Sequence, residues 1–294
     1  MVGGKGGVGK STVAAALALA AARSGRRTLV VELAGRWDVA RLLGGAPRPG
    51  LVEVELLTNL HHMTIDRQAA LRDYLEHEVP GRLPVGRLVR SRFFSAFVEA
   101  TPGMGELLSI GKVSELARPQ RQSRRGRPYD LVVLDAPASG QLMALLGAPG
   151  TFRAIARVGP VARQTADIER LLTDSRLTGV TAVTTPEQMA VTEVLALRGD
   201  LEAHRVALDA VVINRTVSWP FTRAQDRLLQ DAPDDPALRS ARWFSERAGA
   251  QRQQMGRLRR ALKATGQTRL PLMFGGVDRA ALDKFASALR KAMT

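Results

Sequence analysis

Apolar residues fall along the chain in two kinds of run. Short, nearly continuous runs rich in Val, Leu and Ile cover residues 28–33, 62–66, 129–135, 179–184, 208–214 and 268–272. Between them lie longer stretches in which Ala and Leu recur at helical spacing, at 13–23, 37–43, 66–79, 139–146, 152–172, 186–203, 237–265 and 278–292. A short apolar run bounded by turns reads as a strand buried on both faces, and the longer amphipathic stretches read as helices. Strands alternating with helices predict an α/β fold with a mainly parallel sheet flanked by helices. The stretch from about 66 to 118 breaks the alternation: it carries helices, with breaks at Pro80, Pro84 and Pro102, and no intervening strand. It is expected to be a helical insertion within a single domain covering 1–294.

The first motif is Gly3-Gly4-Lys5-Gly6-Gly7-Val8-Gly9-Lys10-Ser11-Thr12. Gly4, Gly9, Lys10 and Ser11 fit the P-loop pattern G-x-x-x-x-G-K-[ST], and a helix follows at once. Glycines at Gly4, Gly6, Gly7 and Gly9 let backbone N–H groups around Val8 turn inward and cradle phosphate oxygens. Lys10 can reach the β- and γ-phosphates, the Ser11 hydroxyl can ligate Mg²⁺, and the helix start at Ser11 and Thr12 presents its positive end to the anion. The fold class expected is therefore a P-loop NTPase, with ATP or ADP and Mg²⁺ as ligands. A P-loop normally follows a buried strand. Here only Met1 and Val2 precede it, so the expectation is a truncated chain, a misassigned start codon, or a first strand that is a stub.

A second site lies at a strand end, in Asp135-Ala136-Pro137-Ala138-Ser139-Gly140. A carboxylate at Asp135 can hold the Mg²⁺ water shell, and Gly140 can bring a backbone N–H to the γ-phosphate and act as a switch. A strand-terminal Asp can also be a plain helix cap. Asn214 closes another strand; its amide can read a base edge or form a turn.

Composition narrows the chemistry. There is no cysteine, which excludes disulfides, Cys-ligated zinc and metal-thiolate sites, and fits a reducing compartment. The longest early apolar stretch, 13–22, is half of the roughly 20 residues a bilayer span needs. With no secretory pattern ahead of the glycine loop, the expectation is a cytoplasmic protein that is not integral to a membrane. The net charge is +15. It is compatible with a nucleic-acid or anionic-membrane surface, or with arginines spread over helix faces. The densest cluster, Arg118, Arg121, Arg124, Arg125 and Arg127, contains Gly126 and Pro128 and reads as a solvated loop. The four histidines, His61, His62, His77 and His204, read as surface or core residues.

The string Lys5 to Thr12 resembles the deviant P-loop of the MinD/ParA/arsenite-pump superfamily. Further along, Pro102-Gly103-Met104-Gly105-Glu106, Asp135 to Leu146, Pro186-Glu187-Gln188, Val211-Val212-Ile213-Asn214-Arg215 and Leu270-Pro271-Leu272 resemble the arsenite-pump and tail-anchored-protein-targeting ATPases. The resemblance implies an ATP-dependent dimer, homo- or heteromeric, in which Lys5 reaches the nucleotide of the second subunit. It implies that Asn214, with Arg215 beside it, reads adenine, that the late loop covers the base, and that a protein client exists. It also exposes a departure. The family's first switch carries an Asp that orients the attacking water, and Ala34 stands at that place. Glu32, two residues earlier on the strand, and Asp38, four residues later, are the carboxylates that could substitute. Binding is thus expected, with hydrolysis weak or supplied by a partner. An arsenite-thiolate site is excluded by the missing cysteines. Met104, Leu107, Leu108, Met143 and Leu145 are equally readable as client groove or helix core. Two other readings stand beside this one: a ParA/MinD-like positioning ATPase on DNA or membrane, which the helical insertion disfavours, and a non-hydrolysing nucleotide-binding subunit of a heterodimer.

Overall fold

A computed structural model of the chain describes residues 1–33, 35–46, 48–78, 101–118, 127–155, 158–218, 221–233 and 235–293. Eight strands form one sheet: β1 (Val2–Gly3), β2 (Thr28–Leu33), β3 (Val54–Leu57), β4 (Leu60–Ile65), β5 (Leu131–Asp135), β6 (Val180–Thr184), β7 (Leu208–Thr216) and β8 (Gly266–Pro271). Their order is β3-β4-β2-β5-β1-β6-β7-β8. Every pairing is parallel except β3 with β4 at one edge. The connecting helices are α1 (Lys10–Arg23), α2 (Asp38–Leu42), α3 (Arg67–Glu78), α4 (Met104–Leu116), α5 (Ser139–Ile155), α6 (Pro160–Thr173), α7 (Gln188–Ala203), α8 (Arg223–Asp231), α9 (Pro236–Ala261) and α10 (Arg279–Met293).

The first strand is short but present. Its two residues sit at the middle of the sheet, Val2 opposite both Asp135 and Thr181 and Gly3 opposite Ala182. That register puts the end of β1, the end of β5 and the start of α1 at one place, so the phosphate loop and Asp135 are brought together by strand pairing alone. Parallel central strands need cover on both faces, and two cores supply it. On one side α1, α2 and α10 pack on the sheet through Val13, Leu19, Val39, Leu282, Phe285 and Leu289. The other core joins residues of α3, α4, α5, α6, α7 and α9 to the opposite face.

α1 shows why the sequence there is alanine. Ten of its 14 residues are buried, and methyl-sized side chains let the helix lie close to the strands and to α10 at once. It therefore has no polar stripe, unlike a surface helix. Burial on this scale secures the element that presents the phosphate-binding N-terminus.

Several local expectations are corrected. The antiparallel edge strand β3 and the capped helix α8 are additional elements. α8 is started by a capping box in which Thr222 and Gln225 satisfy each other's backbone N–H groups. The break expected after 146 is absent: α5 runs on through Pro149, which cannot donate to the carbonyl four residues back. The helix expected over 152–172 is instead divided at Gly159, whose extended ψ precedes Pro160 at the first position of α6. The breaks at Pro80 and Pro84 lie outside the described residues.

Candidate functional site

The phosphate loop is shaped by contacts only glycine permits. Gly4 has φ +137° and a Cβ there would lie 2.2 Å from the Val183 carbonyl oxygen of β6. Gly9 has φ +97°, and a Cβ would lie 2.3 Å from Asn214 Nδ2. Both values exceed what an L side chain accommodates, so the loop is pressed against the sheet at two points. Lys10, 7% exposed, turns back to donate from Nζ to the Lys5 carbonyl at 3.1 Å. Its pKa is lowered, first by burial and against the pull of Asp135. The half-buried Lys5 lies at the loop's outer bend, with Gly6 and Gly7 exposed beside it.

Ser11 and Asp135 are in contact. Ser11 Oγ donates to Asp135 Oδ2 at 2.7 Å, while Asp135 Oδ1 is buried with no hydrogen-bond partner. Burial pushes the carboxyl up from 3.8 to about 6, with Glu32 adding to the rise; Ser11, Arg36 and Lys10 oppose it. A hydroxyl and an orphaned carboxylate oxygen are hard donors of the kind Mg²⁺ takes, and a P-loop metal completes its shell with phosphate and water oxygens. The residues present therefore fit Mg²⁺. No group of three His, Cys, Asp or Glu gathers elsewhere among the described residues. After Asp135 the chain is tied to β1, Ala136 N–H donating to the Val2 carbonyl at 3.1 Å. Ser139 Oγ then donates to Glu193 of α7 at 2.7 Å, and Gly140 is exposed with open space at its Cα.

Of the two carboxylates read as substitutes for the missing Asp, Glu32 is committed elsewhere and Asp38 is not. Glu32, 0% exposed, accepts from the backbone N–H groups of Val39 and Ala40 at 3.1 and 3.3 Å. Its Oε2 also meets Nε2 of His62, which is 2% exposed, at 2.8 Å. The side chain caps the start of α2 and binds β2 to β4. The period-two reading identified its strand face but not that α2 and His62 close over it. Asp38 accepts from Arg36 at 3.0 Å and stands on a cleft of about 770 Å³ lined by Ser11, Thr12, Arg41 and Asp278, within the usual size of ligand pockets. Ala34 lies outside the described residues.

Arg36 is the site residue the sequence reading missed. It donates to Ser11 Oγ at 3.2 Å and lies 3.9 Å from Asp135 Oδ2. No motif marks it; the signal was its position three residues after β2, at a strand end that feeds the site.

Asn214 lies under the loop. It is 4% exposed, donates to the Val8 carbonyl at 2.9 Å and accepts from Arg215 N–H at 2.9 Å. Arg215 is in the left-handed region at φ 58°, and buried Gln251 of α9 holds the segment through the Arg215 carbonyl and the Val217 N–H. Near it an apolar cleft of about 410 Å³ opens between the ends of β7 and β8, lined by Phe221, Phe244, Pro271, Leu272 and Phe274. Of the residues weighed as groove or core, Leu108 and Leu145 are buried and Met104, Leu107 and Met143 pack against the same core. In the arginine cluster Arg118 ion-pairs with Asp167 at 3.6 Å; Arg121, Arg124 and Arg125 lie outside the described residues. Among the described residues no helix is long and apolar enough to cross a membrane.

Comparison with known proteins agrees with this geometry. The profile of a family described as anion-transporting ATPase matches residues 1–164 and 151–230. The ATPase BagA of Mycobacterium tuberculosis is 33% identical over 224 residues, 74% of this chain and 64% of that protein. The ATPase ARSA2 of Chlamydomonas reinhardtii is 27% identical over 197 residues, 64% of this chain and 49% of its own. The ATPase GET3 of Kluyveromyces lactis is 28% identical over 174 residues, 54% of this chain and 50% of its own. The chain thus spans at most about two thirds of these relatives. With a parallel sheet, a glycine loop opening onto α1 and a matched profile over most of its length, this chain belongs to the anion-transporting ATPase family, the group that includes proteins like ARSA2 and GET3.

Proposed function

We propose that this chain is a nucleotide-operated switch that binds ATP with Mg²⁺ at Gly4 to Thr12 and turns it over slowly. The observation that carries the reading is the contrast between the two halves of the site. The phosphate-binding half is assembled: glycine loop, buried Lys10, and a Ser11–Asp135 pair with an unused carboxylate oxygen. In the water-activating half Glu32 is spent on α2 and His62, and Asp38 is paired with Arg36. Lys10 holds the β- and γ-phosphate oxygens, and Ser11 and Asp135 hold the metal. Bound there, Mg²⁺ neutralises charge on the phosphates. Asn214 reads adenine through the amide hydrogen not given to Val8 and Arg215 flanks it, with the cleft lined by Pro271 and Leu272 taking the base. Switching requires a second subunit, of the same or another chain, whose nucleotide Lys5 reaches. A protein client is the expected output, as the family resemblance implies.

The test is nucleotide binding and steady-state hydrolysis with Mg²⁺, beside Lys10→Ala and Ala34→Asp. Micromolar binding lost in Lys10→Ala, slow turnover, and a gain of turnover in Ala34→Asp would support the reading. Brisk turnover in the parent chain, abolished by Lys10→Ala, would sink its catalytic half. The +15 charge favours a second reading, a positioning ATPase on DNA. DNA affinity that needs ATP and falls steeply with salt would revive it.

A further inference from the structure

The segment after β2 carries a cation, Arg36, to the corner formed by Ser11 and Asp135. After β2 the backbone turns at Gly35, which has φ +67° and open space around its Cα, and Arg36 N–H returns to the Leu33 carbonyl at 3.4 Å. That turn aims the Arg36 side chain back at the start of α1. Its Nη2 donates to Ser11 Oγ at 3.2 Å and to Asp38 Oδ2 at 3.0 Å, its Nε donates to Asp38 at 3.3 Å, and Nη2 stands 3.9 Å from Asp135 Oδ2. An Arg–Asp pair two residues apart and half in water means little by itself. What matters is the other two partners, Ser11 and Asp135, which are the two residues that hold metal in the proposed site. Ser11 accepts from Arg36 and donates to Asp135, so guanidinium, hydroxyl and carboxylate form one chain of hydrogen bonds.

The chemistry of that placement has two signs. A guanidinium binds phosphate oxygens with a rigid fork of donors and stays charged at any working pH. It also repels a divalent cation at the same corner. With 41% of its side chain exposed it can meet an incoming anion without unpacking the core. We propose that Arg36 is a resident cation of the phosphate corner, which lets this chain hold a nucleoside polyphosphate with much less dependence on Mg²⁺ than the glycine loop alone would have. The inference rests on the P-loop reading above and adds to it which residue sets the metal requirement.

The experiment is titration of ADP onto the full chain, in excess Mg²⁺ and in EDTA, for the parent and for Arg36→Met, Arg36→Lys and Lys10→Ala. The expected parent shows Kd values in the two buffers within about ten-fold of each other. Arg36→Met weakens the EDTA arm by about ten-fold or more, the scale of one lost charged contact, and leaves the Mg²⁺ arm unchanged or tighter. Arg36→Lys, which keeps the charge and loses the fork, recovers part of the loss. Parallel weakening of both arms in Arg36→Met would mean a structural role and overturn the proposal, as would no change in either arm. Parent and Lys10→Ala chains that bind ADP equally poorly in Mg²⁺ would instead overturn the P-loop reading, and this inference with it.

Discussion

Asp135→Asn separates the energetic cost of the metal corner from its use. In the nucleotide-free chain the carboxylate is buried, with one oxygen lacking a partner, and its pKa is pushed from 3.8 to about 6. Burial that raises an acid's pKa means the folded state holds the proton more tightly than the unfolded one, so stability falls as pH rises between the two values. The cost is absent below about pH 4, accrues up to about pH 6 and is complete above it. At about 1.4 kcal/mol per unit, a shift of about two units amounts to about 2–3 kcal/mol. The amide has no such titration. It carries a penalty of its own, because its NH₂ takes the place of the orphaned oxygen without an acceptor, but that penalty does not vary with pH. The prediction is therefore in the slope: the stability of the Asn variant minus that of the parent increases by about 2–3 kcal/mol from pH 4 to pH 7. Urea unfolding of both proteins in EDTA, at half-unit pH steps, reads it directly. A difference that stays flat across that range would refute the claim that Asp135 is held at a desolvation cost. The same variant should lose the Mg²⁺-dependent part of nucleotide affinity.

Two further changes probe the frame around the site. Glu32→Ala strands two N–H groups of α2 and the buried His62, so it should cost about 3–5 kcal/mol; a denaturation midpoint within error of the parent would contradict the cap assignment. Gly9→Ala places a methyl against Asn214 at a positive φ and should abolish nucleotide binding at a stability cost of about 1–3 kcal/mol. If the Gly9→Ala chain bound ATP like the parent, the close approach of loop and Asn214 would not be needed for binding.

Much of this was readable from the chain itself, for definite reasons. The glycine loop, Lys10 and Ser11 are legible because their chemistry lies in backbone conformation and in one short spacing. Asp135 is legible because a strand end is a fixed place in a parallel sheet. The antiparallel β3 was not, because Val54–Leu57 is only partly buried and its pattern resembles a loop. Nor was the continuity of α5, since Pro149 flanked by Gly147 and Gly150 argues locally for a break, and only the packing of Leu142, Leu145, Leu146 and Phe152 overrides it. Glu32 was misjudged because strand periodicity gives the face of a residue but not what will cover that face. Arg36 is not legible in the sequence because its placement depends on the turn at Gly35, whose outcome no spacing encodes.

The buried contacts of Glu32 also limit how far the first switch can travel. Residues 35–37 lie between β2, which carries Glu32, and α2, two of whose N–H groups that same side chain accepts from. The segment is thus a short strap with both ends nailed to one peg. Any large excursion has to pull the peg, uncovering a carboxylate and His62 together. The cost of displacing this segment is therefore set by a buried carboxylate and His62, not by the loop residues themselves.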